Sequence, residues 1–197
     1  MTEDLPGRIT DPKALRALSH PTRWKLIELL GLEDTTTATR CAEYTGESVA
    51  SCSYHLNMLA KYGFVEQAEG GHGREKPWKL ARHSQSWTPE GLDPEGVLAA
   101  EALSEVYLDH ELGRQKDWLR RYDREPPEWR AATGSWAITT HLTADEMREV
   151  TAELTAIFER YRPRIEDPSK RPEGSRPVRL FLAGYLPPLP PPPKPEE

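Results

Sequence analysis

Residues 47–67 read ESVASCSYHLNMLAKYGFVEQ. The stretch opens on small residues, runs through a Tyr-His pair into an apolar body, stops at a glycine and continues into a β-prone segment. Ser48 suits an N-cap, because its hydroxyl can accept from a free N–H of the first turn. Val49, Cys52, Leu56, Leu59 and Ala60 follow the 3.6-residue period and predict one buried face. The opposite face carries Ser51, Tyr54, Met58 and Lys61, with Ala50 and Asn57 beside them. Gly63 stands where a left-handed C-terminal residue is expected. A solvated surface helix commonly carries Glu/Lys pairs on its outer face. This one carries hydroxyls, an amide, a phenol and one lysine near its end. Such short polar groups let a backbone sit deep in a DNA major groove and reach base edges.

Working outward, the flanks predict a helix-turn-helix with a wing. Upstream, DPKALRALSHPTRWKLIELL holds two amphipathic helices, with Pro12 and Pro21 at first helical positions. Leu15 and Leu18 line the first, and Trp24, Leu26, Ile27 and Leu30 the second. Thr37–Thr45 predicts a short third helix that ends at Gly46, followed by a tight connection into Ser48. Downstream, Phe64–Glu69 and Glu75–Leu80 flank GGHGR, a hairpin pattern whose tip holds His72, Arg74 and Lys76. Asn57 belongs with the base-reading face, and Lys61, Lys76 and Lys79 with the phosphates.

Residues 11–82 resemble the ArsR/SmtB family of winged-helix repressors. The resemblance is carried by LRALSHPTRWKLIELL, AEYTG, SVASCSYHL, KYGFVE and REKPWKLA, in that order and spacing. It implies a homodimeric repressor that binds a palindromic operator on double-stranded DNA and leaves it when an effector binds. Position by position, Ser48, Ser51, Ser53, Tyr54 and His55 match the family's DNA-reading helix, and Arg74 matches its wing arginine. Val49 replaces a residue that is often more polar.

Many members of that family sense metals, through a C-x-C pair in the third helix or through Asp and His two apart on the fifth. Here Cys41 has no cysteine two residues away, and Asp109 and His110 are adjacent. Thiophilic metals need several thiolates, so no metal and no cofactor is expected. Cys52 reads as a small core residue. Two cysteines do not suggest a disulfide framework.

The chain has 197 residues and a net charge of −6. Residues 1–90 carry 11 Lys+Arg against 12 Asp+Glu, and the remainder 15 against 20. Most of the acidity therefore lies outside the winged-helix part, where the local field on the phosphates matters more than the net charge. No apolar run approaches about 18 residues, and the polar, acidic start is unlike a signal peptide. A cytoplasmic protein without membrane contact is expected. No G-x-S-x-G, P-loop or paired-carboxylate constellation points to an enzyme.

The second half predicts a linker over 83–93 and a long helix over about 94–124, roughly 45 Å in length. This helix occupies the place of the family's dimerisation helix. Leu103 and Val106, with Leu15 and Leu18 of the first helix, are expected across the two-fold. Trp136–Leu142 and Val178–Leu182 read as strands, and Thr143 to Glu146 as a capping box before a helix with Met147, Val150, Leu154, Ile157, Phe158 and Tyr161 on one stripe. The expected class is α+β, mainly helical, with a small α/β unit over 126–186 for sensing or dimerisation. Trp118, Tyr122, Trp136 and Phe158 either line an effector pocket for a small apolar molecule or fill a core; a partner protein is the other possible signal. Residues 1–10 and the proline-rich 187–197 are expected to be flexible. A second function class stays open: a winged helix used to bind protein rather than DNA.

Overall fold

The computed structural model describes residues 8–70 and 76–188. The N-terminal part follows the winged-helix order: α1 (Pro12–Leu18), α2 (Pro21–Glu33), β1 (Thr35–Thr36), α3 (Ala38–Thr45), α4 (Val49–Lys61), β2 (Val65–Gln67) and β3 (Trp78–Leu80). Then come α5 (Pro94–Arg121), α6 (Pro127–Ala132), α7 (Ala144–Glu159) and α8 (Arg162–Glu166). The class is α+β and mainly helical, with one three-stranded antiparallel sheet of order β1-β3-β2.

Local chemistry fixes the helix ends. Asp11, Thr37, Ser48, Asp93 and Thr143 each accept a first-turn N–H, which satisfies donors a helix start leaves free. Proline opens α1, α2 and α5 at the first turn. Gly46 ends α3 with φ 77°, a left-handed turn that glycine adopts without a Cβ clash, and its N–H donates to the Ala42 carbonyl. The wing pairs Val65 with Leu80 and Gln67 with Trp78. Its third strand was not legible: Thr35 and Thr36 pair with Lys79 and Trp78, a match made only once the wing folds back on the end of α2.

One core serves this part. Leu15, Leu18, Leu26, Leu29, Leu30, Cys52, Leu56, Leu59, Phe64 and Leu103 are all buried, and Ala99 and Ala100 bring α5 against α1. Arg16 pairs with Glu95 at 2.6 Å across that contact. Ile9 joins through its N–H, which donates to the Ser86 carbonyl at 2.8 Å.

Three expectations need correction. Leu15, Leu18 and Leu103 do not await a partner, because they fill the chain's own core, and Val106 packs against it. The exposed leucines of α5 are Leu98, Leu108, Leu112 and Leu119. Val49 lies 45% exposed instead of in the buried face; it is the first residue of α4, in a run from Gly46 to Ala50 that is exposed throughout. Finally, 136–142 and 178–182 enter no strand. The β of the α+β class lies wholly in the winged-helix sheet, and the unit beyond residue 126 consists of helices and extended chain.

Candidate nucleic-acid interface

The candidate interface is built on α4. Cys52, His55, Leu56 and Leu59 anchor its inner side. Its outer side presents Val49, Ala50, Tyr54, Asn57 and Lys61 exposed, with Ser51, Ser53 and Met58 half-buried. Ser48 is exposed, and its Oγ accepts from the Ser51 N–H at 3.1 Å. Asn57 Nδ2 donates to the Ser53 carbonyl at 2.8 Å. Tyr54 is 58% exposed with its ring edge-on to His55. Lys61 lies over the Tyr62 ring, and the ammonium keeps hydrogen-bonding capacity on its open side.

His55 departs from the expected DNA-reading set. It is buried, and its Nδ1 accepts from Arg23 Nε at 3.3 Å. The His20 ring stands 4.4 Å from it, centroid to centroid. Arg23 also donates to the Ala17 carbonyl at 2.6 Å. Burial, then the neighbouring His20 and Arg23, hold the His55 pKa below its usual value. Burial and Arg23 do the same for His20. His55 is thus the seat on which α4 rests. Sequence reading missed Arg23, although a signal was present: it falls three and four residues before Leu26 and Ile27, on the apolar face of α2.

On the wing, Lys76 is exposed, and Lys79 pairs with Glu66 at 3.1 Å. His72 and Arg74 lie outside the described residues. Both cysteines are free and buried. Among the described residues no cluster of three metal-ligating side chains occurs, and no helix is long and apolar enough to cross a membrane.

The four rings of the effector expectation occupy different places. Trp118 and Tyr122 meet edge to face at 5.2 Å. Trp136 stands 84% exposed. Phe158 borders a cavity of about 200 Å³ with His83, Ser84, Ser86 and Ile165, and none of the other three rings reaches it.

No protein-family model matches the chain, and no curated protein matches it. Among solved structures it is similar to ZitR of Lactococcus lactis in a double-mutant apo form, at 15% identity and a TM-score of 0.32, over 73% of this chain and 83% of that one. A second structure of the same double mutant aligns at 15% identity and a TM-score of 0.31, over 72% and 75%. The assignment of the fold rests on the chain's own elements: three helices, a capped fourth, and a three-stranded wing sheet in winged-helix order.

Proposed function

We propose that the protein is a DNA-binding transcriptional regulator and not an enzyme. It acts as a homodimer on an inverted-repeat operator, in the manner of an ArsR-type repressor. One observation carries this reading. The second helix of the helix-turn-helix holds one side in the core and offers Tyr54, Asn57 and Lys61, with half-buried Ser51, on the other. Donors and acceptors of that size suit base edges in a major groove, and Lys61 and Lys76 suit the flanking phosphates.

The exposed face of α5 supports the dimer. The exposed leucines of α5 recur at Leu98, Leu112 and Leu119, with Leu108 between. An apolar stripe of this kind on a helix 28 residues long suits packing against its own copy. Two recognition helices then enter successive major grooves about 34 Å apart. The effector is a non-metal signal that reaches the part of the chain beyond α5. It releases DNA only through unequal affinity for the two states.

Selection of bound DNA from a random library, with the full chain at low salt, tests the reading. An enriched inverted repeat with half-sites one helical turn apart is the expected result. Recovery of no enriched sequence sinks it.

A further inference from the structure

After Glu111 no described residue is buried. Helices α6, α7 and α8 contain no buried side chain, although α7 carries the apolar stripe Met147, Val150, Ile157 and Phe158, all 36–39% exposed. Ordering a chain costs conformational entropy that only burial and pairing offset. As a single copy, this unit has too little of either.

The two β-prone segments show what is missing. Along 178–182 the odd positions are held. Arg179 donates to both carboxylate oxygens of Glu111, at 3.1 and 2.6 Å, and to Tyr107 Oη at 2.8 Å. Phe181 meets the Tyr107 ring at 5.9 Å. The even positions Val178, Leu180 and Leu182 turn outward and are 53, 56 and 55% exposed. This is the alternation of a strand with one face seated. In 136–142 Trp136 and Ile138 are 84 and 88% exposed. Among the described residues neither segment makes a ladder or any other backbone–backbone hydrogen bond.

We infer that the unit closes by exchange between two copies: the outward face and free edge of 178–182 on one chain receive the 136–142 segment of a second. This deepens the homodimer part of the proposed function and does not depend on DNA binding. Three observations select a second copy as the occupant. First, each chain offers one segment of each kind, so a two-fold arrangement uses both segments of both chains. Second, the exposed side chains are uncharged: 136–142 contains no Lys, Arg, Asp or Glu, and Arg179 is committed to Glu111. A charged partner would find nothing to pair with. Third, Leu108 and Leu112 follow Tyr107 and Glu111 directly along α5 and are exposed, so apolar surface is also open on the turns of α5 to which 178–182 is fastened.

The areas agree. The chain exposes 14701 Å² at 22.4 kDa, whereas a compact monomer of that mass exposes about 9,400 Å². The residues outside the described ranges can contribute at most roughly 3,300 Å² of this, the area of a chain with nothing buried. At least about 2,000 Å² of the excess therefore belongs to described residues, more than the ~800 Å² each partner gives to a standard interface.

Hydrogen exchange on the full chain tests the exchange directly, over a dilution series whose dimer constant is read by sedimentation without DNA. Amides of 136–142 and 178–182 should be protected together and lose protection over the concentration range in which the dimer dissociates. Leu180→Asp places a charge at a site half-exposed in the single chain. It should weaken dimerisation at least tenfold and leave the helical circular dichroism of the monomer unchanged, while Leu32→Asp, on α2 and also exposed, should not weaken it. Protection that persists in the monomer, amides that stay unprotected in the dimer, or an undiminished dimer in Leu180→Asp overturns the inference. Because these readouts contain no DNA, a failed operator selection leaves them untouched.

Discussion

Arg23 reaches from α2 beneath α4 and donates its Nε hydrogen to Nδ1 of His55 at 3.3 Å. The same guanidinium caps the Ala17 carbonyl at the end of α1. One buried cation therefore ties three helices, and it sets the level at which α4 stands above the core. Arg23→Ala leaves a buried carbonyl and an imidazole without their donor. A loss of ~1–3 kcal/mol in unfolding free energy is expected, read as a lower urea midpoint at constant slope. An unchanged midpoint would mean that the tie contributes nothing.

His20, His55 and His83 all titrate below their usual value, burial being the largest cause in each. The unfolded chain then binds these protons first as pH falls. Stability is therefore fully present above about pH 6.5 and is lost as pH drops through the depressed folded-state values. Urea titrations between pH 7.5 and 5.5 should show a falling midpoint, and His55→Gln should flatten part of that slope. A midpoint that rises on acidification would contradict the burial assigned to these rings.

Reading and anchoring should separate in DNA binding. Substitution of Ser51, Tyr54 or Asn57 should alter which bases are preferred, at ~1–3 kcal/mol for a good contact. Lys61→Ala, Lys76→Ala and Arg74→Ala should weaken all sequences alike and reduce the salt dependence by about one unit each. Binding measured on the selected site and on scrambled DNA across a salt series distinguishes the two. A changed base preference at the centre of the site in Arg74→Ala would contradict the phosphate role.

The thiols should be inert. Burial, with smaller contributions from Cys52 and Glu33, pushes the Cys41 thiol up to about 12, far from the thiolate that reacts. Ellman's reagent at pH 8 should find Cys41 unreactive in the folded chain and both cysteines titrating in urea. Rapid modification of Cys41 in native buffer would contradict its burial.

Arg171 grips Asp34 with two parallel hydrogen bonds of 2.7 and 2.6 Å, joining the chain beyond α8 to the end of α2. Both side chains keep roughly a third of their surface in water, so Arg171→Ala should cost global stability no more than about 1 kcal/mol. Its effect should be local, as faster amide exchange at Ser169 and Arg171. Global unfolding at a midpoint shifted by several kcal/mol would show that the clamp belongs to the core.

The order of helices, the Ser48 cap, the Gly46 stop and the Thr143–Glu146 box were legible in the sequence, because caps and periodicity are local properties that a few neighbouring residues determine. The polar outer face of α4 was legible for the same reason. Tertiary structure decided the rest. His55 has the sequence neighbourhood of a base contact, yet it faces inward because Arg23 and His20, more than thirty residues away, build its seat. Leu103 was expected across a dimer, and the chain's own core buries it. Thr35 and Thr36 have no strand pattern of their own and pair only because the wing returns to them. The segments 136–142 and 178–182 have strand composition, but a strand exists only when another backbone lies alongside, and no single-chain pattern supplies that neighbour.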